Sequence, residues 1–387
     1  MGQLASTFTG SPSRVSNGLG SRVIVDLNAY AHNLMAVRSL IPRECRVMAV
    51  LKANAYGHGA VRVAQRALAE GVAMLGVATV EEGIELRAAG IGAPIVVLMQ
   101  PPPGALALAV EHGLSLMLSD TRSSERVGEL ARRANKVIPV HAKIDTGMGR
   151  QGFDMTSAVN EMLFLTRISH IDIEGIATHF PVADVTKDHF TAHQVKLFRQ
   201  FLKQLEKEGV PYDLAHAANS AGIINCPASA LDMVRPGLMT YGVWPTDQPP
   251  VEDRLQPVLR WEAPIVLIKE VPAGTSIGYG RTYTAGEAMR AAIVAVGYAD
   301  GYKYGLSNRG EVLIHGKRCF VRGTVSMDQI VVDVSHVPEA SPGDMAVLIG
   351  KSGQDRITVE ELAEKAGVIP YDILTSIGPR VSRSYRE

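Results

Sequence analysis

The sequence predicts an α/β fold in which a (β/α)8 TIM barrel is followed by a mostly-β C-terminal domain. Between residues 46 and 237, short apolar runs alternate with longer amphipathic stretches, a pattern typical of buried parallel strands covered by helices. After about residue 256, closely spaced apolar runs are separated by turn residues instead. The 387-residue chain has room for a barrel of about 235 residues and a second domain of about 130.

Eight apolar runs rich in Val, Ile, Leu and Ala predict the barrel strands. Seven helical segments separate them, among them 60–70, 80–89 and 187–208. This number and spacing match a closed barrel, and an open doubly wound sheet is the structural alternative. The eight runs are 46–53, 74–79, 95–100, 114–120, 138–145, 173–179, 214–219 and 233–237.

The second half reads as an all-β domain that ends in a helix. The pair His315-Gly316 predicts a hairpin turn, and Thr358 followed by Glu361 predicts a capping box at the start of a helix over 358–366. An earlier apolar run, 22–27, is surplus to the barrel and could pair with this domain. The predicted strands are 265–269, 290–296, 311–314, 320–325, 330–334 and 345–349.

These elements divide the chain into three parts. We expect a flexible N-terminal extension over residues 1–20, a cofactor-binding barrel over 21–256 and a β-domain over 257–387. The extension is rich in Ser and Gly and lacks the apolar core of a secretion signal.

Composition excludes several classes of protein. Thirty-nine Lys and Arg balance thirty-nine Asp and Glu, which argues against a nucleic-acid partner. No uninterrupted apolar run is long enough to cross a bilayer, so we expect no membrane association. Three widely spaced cysteines, Cys45, Cys226 and Cys319, suggest neither a disulfide framework nor a metal site, and they favour a cytoplasmic location.

Chemically reactive side chains close five of the predicted barrel strands. In this fold the active site lies at the carboxyl ends of the strands. A single polar residue at such a position caps the end of a strand as often as it serves an active site, but five such positions together favour an active site. They are Lys52, Lys143 with Asp145, His179, Asn219 with Ser220, and Arg235.

Lys52 and the last two strands point to a phosphate-bearing aldehyde cofactor. Burial at the end of an apolar run would lower the pKa of Lys52 toward the neutral amine that forms Schiff bases. The loops that start at Asn219 and Arg235 contain a hydroxyl, Ser220, and the glycine Gly237, at the positions where barrels commonly bind phosphate. Pyridoxal phosphate fits both requirements.

Four motifs in order resemble those of the pyridoxal-phosphate-dependent alanine racemases, over nearly the whole chain after the N-terminal extension. The segment 50–59, VLKANAYGHG, is similar to the cofactor-lysine motif of that family. The other three are 143–150, KIDTGMGR, in the barrel, 276–283, SIGYGRTY, which carries a tyrosine, and 297–301, GYADG, in the C-terminal domain.

The resemblance implies a role for each cofactor-site residue. Lys52 would hold the cofactor as a Schiff base, and Arg235 would face its pyridine nitrogen. Because an arginine only donates hydrogen bonds, it would leave that nitrogen unprotonated and favour reprotonation of the substrate over side reactions. The remaining cofactor-binding residues would be Tyr56, His179, Asn219, Ser220, Gly237 and Leu238.

Racemisation needs two acid/base groups on opposite faces of the substrate. The resemblance implies that Lys52 serves one face and that Tyr279 of the partner subunit in a homodimer serves the other, with His179 and Arg235 as candidates for tuning the tyrosine. The substrate-binding residues would be Arg150, Tyr298, Met327 and Asp328, the last three also from the partner.

Lys143 would crowd Arg150 as a second cation. Members of the family often carry a carbamylated lysine at this position, which turns the cation into an anion, and a plain lysine is the alternative. The sequence departs from the family pattern at Pro379 and Ser326, which leaves substrate preference open.

The resemblance implies an isomerase that interconverts L- and D-alanine and supplies D-alanine for peptidoglycan. A racemase of broader specificity, accepting serine for example, shares every motif. A fold-related decarboxylase would need a carboxylate where Arg235 stands. A non-catalytic cofactor-binding protein would lack the C-terminal domain that carries Tyr279.

Overall fold

A computed structural model describes residues 20–246 and 254–387. The predicted N-terminal extension, residues 1–20, lies outside the described part except for Gly20. The strands are β1 (Arg22–Asp26), β2 (Arg46–Val50), β3 (Met74–Val77), β4 (Ile95–Val97), β5 (Ser115–Leu118), β6 (Ile138–Asp145), β7 (Phe153–Asp154), β8 (Ile171–Ala177), β9 (Leu214–Asn219), β10 (Met233–Arg235), β11 (Leu259–Val271), β12 (Ser276–Ile277), β13 (Tyr283–Thr284), β14 (Met289–Val294), β15 (Glu311–Ile314), β16 (Lys317–Phe320), β17 (Ile330–Asp333), β18 (Met345–Ser352), β19 (Asp355–Ile357) and β20 (Ser382–Arg386).

The helical segments are α1 (Leu27–Arg38), α2 (Lys52–Tyr56), α3 (Ala60–Ala69), α4 (Val80–Ala88), α5 (Leu106–Glu111), α6 (Thr121–Arg133), α7 (Ala158–Leu165), α8 (Phe190–Glu208), α9 (Ser220–Asn225), α10 (Val359–Ala366) and α11 (Pro370–Thr375). Among the described residues, none of these helices combines the length and the apolar character needed to cross a membrane.

Eight parallel strands form a closed barrel, which confirms the predicted fold class. Their order is β2-β3-β4-β5-β6-β8-β9-β10, and β10 pairs back to β2. Closure excludes the open doubly wound sheet. Because β2 and β10 are neighbours, the loop that begins at Lys52 lies beside the loop that follows Arg235.

The C-terminal domain is built around the thirteen-residue strand β11. β11 pairs in antiparallel register with β18 and β14, and also with β1. β1 in turn pairs with β20 in parallel register. Strand β1 therefore lies outside the barrel, and its pairing ties residues 22–26 to the second domain.

Local chemistry explains where two predictions differ from the structure. Of the predicted strand 320–325, only Phe320 lies in a strand, as the last residue of β16. The backbone that follows bonds to side chains instead: Gly323 N–H donates to Asn308 Oδ1 at 2.6 Å, and Val325 N–H donates to Ser307 Oγ at 3.0 Å. Only half of the predicted capping box forms. The Thr358 hydroxyl accepts from Glu361 N–H at 3.1 Å, whereas the Glu361 carboxylate binds basic side chains instead.

Candidate active site

Four of the predicted cations and a histidine meet at the mouth of the barrel. Desolvation and then the charge of Arg150 lower the pKa of Lys52. Desolvation, followed by the charges of Arg150 and Arg235, lowers the pKa of Lys143 to about 8. The pKa of His179 falls to about 3 through desolvation and then the charge of Arg235. These mutual effects place the five side chains within electrostatic reach of one another, in a site that suits an anionic ligand.

Lys52 follows β2 directly and opens a left-handed turn. The four residues Ala53 to Tyr56 all have φ near +53°, a conformation that costs about 1–2 kcal/mol per residue for L-amino acids. Hydrogen bonds hold the turn: Ala53 N–H donates to Glu82 Oε1 at 2.6 Å, and Asn54 Oδ1 accepts from Ala60 N–H at 2.8 Å. The side chain of Lys52 is exposed at the mouth, although wall atoms surround its amine closely enough to desolvate it.

Arg235 is buried in the wall of the barrel with a fixed orientation. Its Nη1 donates to His216 Nδ1 at 2.6 Å, and its Nη2 donates to the carbonyl oxygens of Thr178 and Ala217 at 2.8 and 2.9 Å. A longer contact of 3.4 Å joins Nη2 to His179 Nδ1. Desolvation lowers its pKa only to about 10, so the guanidinium remains charged at neutral pH and acts as a donor.

The loops after β9 and β10 come together as a small polar cradle. The Ser220 hydroxyl accepts from the backbone N–H groups of Gly237 and Met239 at 2.9 and 3.3 Å. A Cβ added at Gly237 would lie 2.4 Å from the Tyr56 hydroxyl oxygen, so a larger residue there would displace the Tyr56 side chain. Hydroxyl groups and backbone N–H groups at one edge of a cationic mouth suit a phosphate. Tyr56, Ser220, Gly237 and the buried Leu238 are thus brought together, and Asn219 caps the following segment by accepting from Gly222 N–H at 2.9 Å.

The loop after β6 positions Arg150 and leaves Lys143 without a hydrogen-bond acceptor among the described residues. Asp145 accepts backbone N–H groups from Gly147, Met148 and Gly149. Burial raises the pKa of Asp145, but these hydrogen bonds outweigh burial and the net shift is downward. Arg150 lies exposed at the end of this loop, and Lys143 is buried behind it.

The C-terminal candidates lie on neighbouring loops of the second domain. Tyr279 is 76% exposed, in a turn after β12. Tyr298 and Met327 lie on adjoining loops, where Tyr298 N–H donates to Ser326 O at 3.0 Å. Asp328 pairs with Arg380 at 2.8 Å. In the part of the chain that the structure describes, no hydrogen bond or ion pair joins these four candidates to the barrel.

Together, the barrel groups fit pyridoxal phosphate. The lysine with a lowered pKa suits the aldehyde, the cradle of Ser220 and Gly237 beside the Tyr56 hydroxyl suits the phosphate, and the donor-only Arg235 suits a ring nitrogen. Sequence reasoning does not single out His216, which contacts Arg235, or His141 and Glu174, which are hydrogen-bonded in turn to His216 and to each other. The one feature of the sequence that could have indicated His141 and His216 is that each is a histidine within a mostly apolar strand.

Comparison with known proteins gives a consistent result. Residues 25–245 match the family described as alanine racemase, N-terminal domain, and residues 258–385 match the alanine racemase C-terminal domain. An alanine racemase of Halothermothrix orenii is 41% identical over 94% of this chain and 96% of its own length. One from Carboxydothermus hydrogenoformans is 42% identical over 93% of this chain and 98% of its own length.

Two solved structures share the whole architecture. The alanine racemase of Bacillus anthracis with bound L-Ala-P is 33% identical, with a TM-score of 0.90, over 97% of this chain and 96% of that one. That of Bartonella henselae with covalently bound pyridoxal phosphate is 28% identical, with a TM-score of 0.85, over 95% of this chain and 99% of that one. With both domains matched and relatives above 40% identity, the chain belongs to the alanine racemase family.

Proposed function

We propose that this chain is a pyridoxal-phosphate-dependent racemase that interconverts L- and D-alanine by proton transfer between two bases. The observation that carries the proposal is a lysine of lowered pKa at the barrel mouth, beside a buried arginine that can only donate. A related structure has bound L-Ala-P and another has covalently bound pyridoxal phosphate, which supports both the substrate and the cofactor.

Bound pyridoxal phosphate would withdraw electrons from the substrate and make its Cα–H bond acidic. Lys52 would hold the cofactor and then move a proton at one face of Cα. Arg235 would donate to the ring nitrogen and keep it unprotonated, because a guanidinium has no acceptor. The phosphate would be held by Tyr56, Ser220, Gly237 and Leu238, with His179 and Asn219 also in contact with the cofactor.

The second base and part of the substrate site would come from a partner subunit. Tyr279, Tyr298 and Met327 are 76%, 45% and 52% exposed, so these large side chains present a surface that a partner subunit would cover. A symmetric dimer would bring this cluster, with Asp328, over the mouth of the partner's barrel. Arg150 would then bind the substrate carboxylate from the barrel side.

Lys143 is proposed to carry a carbamate, which we expect to detect directly. Only the neutral amine reacts with CO2, and a pKa of about 8 leaves a sizeable neutral fraction near neutral pH. The modification would place an anion beside Arg150. We predict a protein-bound carbonyl resonance in 13C NMR after exchange with 13C-bicarbonate, which increases as pH rises from about 6 to 9. In Lys143→Arg the resonance should vanish, and an unmodified wild-type chain would contradict the prediction.

A panel of L-amino acids, supplied with cofactor, tests the proposed activity. We expect D-alanine to form from L-alanine, with a kcat/KM about 10- to 100-fold above that for serine, since an apolar pocket rejects an added hydroxyl by at most about 100-fold. Comparable rates with serine would favour a racemase of broader specificity. Release of CO2 from basic amino acids would indicate a decarboxylase, which Arg235 argues against.

Supply of D-alanine for peptidoglycan and a cytoplasmic location complete the proposal. Cys45, Cys226 and Cys319 are all unpaired, which supports a reducing compartment.

A further inference from the structure

A continuous chain of side-chain hydrogen bonds runs from Arg235 through the interior of the barrel. Arg235 Nη1 lies 2.6 Å from His216 Nδ1, and His216 Nε2 lies 2.9 Å from His141 Nδ1. His141 Nε2 is 3.0 Å from Glu174 Oε2, which also accepts from the Ser115 hydroxyl at 3.2 Å. The four linked side chains belong to β10, β9, β6 and β8, which are neighbours in the barrel.

The chemistry of arginine fixes the direction of every bond in this chain. A guanidinium has no acceptor, so His216 Nδ1 must be unprotonated and its single proton must lie on Nε2. That proton is donated to His141 Nδ1, which places the only proton of His141 on Nε2. The chain therefore needs an acceptor at its far end, and Glu174 is that acceptor.

The local backbone is built to make this chain. The register between β6 and β8 shifts between Val140 and His141, whose partners are Ile173 and Gly175, so Glu174 is the extra residue of a β-bulge. Such bulges redirect a side chain. A Cβ added at Gly175 would lie 2.2 Å from His141 Nδ1, so glycine is needed for the imidazole to cross β8.

The hydrogen-bond chain also links Arg235 to a carboxylate, which Arg235 does not contact directly. Its hydrogen-bond partners among the described residues are imidazoles and carbonyl oxygens, and none is a carboxylate. Burial raises the pKa of Glu174, but the hydrogen bonds from His141 and Ser115 and the nearby positive charge together outweigh burial, so the net shift is downward and favours the anion. An anionic end polarises a hydrogen-bond chain along its length and strengthens the bond that holds the guanidinium.

We infer that Glu174 is a positioning residue that ends a one-way hydrogen-bond chain through His141 and His216 and so fixes the Arg235 guanidinium. The role of Arg235 at the cofactor rests on the proposed function, whereas the direction of the hydrogen bonds from Arg235 to Glu174 does not. In this scheme Glu174 touches neither substrate nor cofactor.

The test compares Glu174→Gln with Glu262→Gln. Glu262 is a control carboxylate on β11 that is also held by hydrogen bonds, in this case from Arg22 of β1 and Arg260. For Glu174→Gln we expect kcat for alanine about tenfold lower, as for other residues that orient a contacting group, with little change in KM. For Glu262→Gln we expect both constants to stay near wild type. Wild-type kinetics in Glu174→Gln would overturn the inference.

Imidazole 15N and 1H NMR of the protein without added cofactor provides a readout independent of activity. We expect His141 and His216, assigned by replacement with Gln, to carry their protons on Nε2. The His141 Nε2–H proton should resonate far downfield in wild type and move upfield in Glu174→Gln but not in Glu262→Gln. Protons on Nδ1, or an unchanged resonance, would overturn the inference.

The NMR result separates the two hypotheses. A wild-type chain that racemises nothing but shows these tautomers would contradict the proposed function and still support the chain of hydrogen bonds. If Glu174→Gln does not fold, the tautomers of His141 and His216 in the wild-type protein test the inference: protons on Nε2 support it, and protons on Nδ1 overturn it.

Discussion

Lys52→Ala should lose racemisation by at least about 1,000-fold, because in the proposed mechanism one replacement removes both the covalent attachment of the cofactor and one of the two bases. The structure supports both roles. Lys52 begins a turn whose backbone is held by hydrogen bonds to the side chains of Glu82 and Asn54. The backbone position from which the lysine side chain extends is therefore fixed at the barrel mouth. Its pKa is lowered by desolvation and then by Arg150, so more neutral amine is present at neutral pH than an ordinary lysine offers.

The measurements for this variant are the racemisation rate and the visible absorbance of the protein after incubation with pyridoxal phosphate. Both should be lost in Lys52→Ala. The control is Lys203→Ala, on the exposed side of α8, which should keep both. If Lys52→Ala retained racemisation and absorbance, the covalent role of this lysine would be refuted.

Much of the barrel site can be predicted from the sequence because polar, reactive side chains stand at the ends of apolar runs. Lys52, His179 and Arg235 each close an apolar run, and the fold places such ends together. The structure brings them into one cationic mouth, as the runs predict. Tyr279 is different: nothing in its spacing indicates which barrel it would serve, and in the proposed homodimer that depends on the partner subunit.

Other features depend on tertiary structure and escape a sequence reading. Ala53 and Ala55 have no preference for positive φ, so the left-handed turn after Lys52 is imposed by hydrogen bonds from distant residues. The inward direction of Glu174 depends on a register shift between two strands, and alternation along β8 alone does not reveal it. His141 and His216 interrupt apolar runs, where one polar residue carries little information by itself.

Tyr279→Phe should retain the cofactor and lose racemisation by about 100- to 10,000-fold, the usual contribution of one acid/base group. The substitution removes only a hydroxyl from a side chain that is 76% exposed, so we expect no loss of folding stability. The matched control is Tyr304→Phe, which changes another exposed tyrosine of the same domain and should leave the rate unchanged.

The two-base scheme makes a further prediction about α-hydrogen exchange in D2O. The equilibrium constant of racemisation is one, so kcat/KM must fall equally in both directions and cannot show which base is missing. Exchange can show it, because Lys52 still reaches one face of Cα. In Tyr279→Phe one enantiomer should keep its exchange while the other loses it. Equal exchange from both enantiomers would contradict the assignment of one base to each face.

Mixed dimers decide whether the two bases come from different subunits. If they do, a dimer of one Lys52→Ala chain and one Tyr279→Phe chain has one site with both native residues and one site with neither. Random reassociation of equal amounts should therefore restore about a quarter of wild-type activity, although each parent is inactive. If both bases came from one chain, every site would lack one of them and mixing would restore nothing. The 76% exposure of Tyr279 favours the first result.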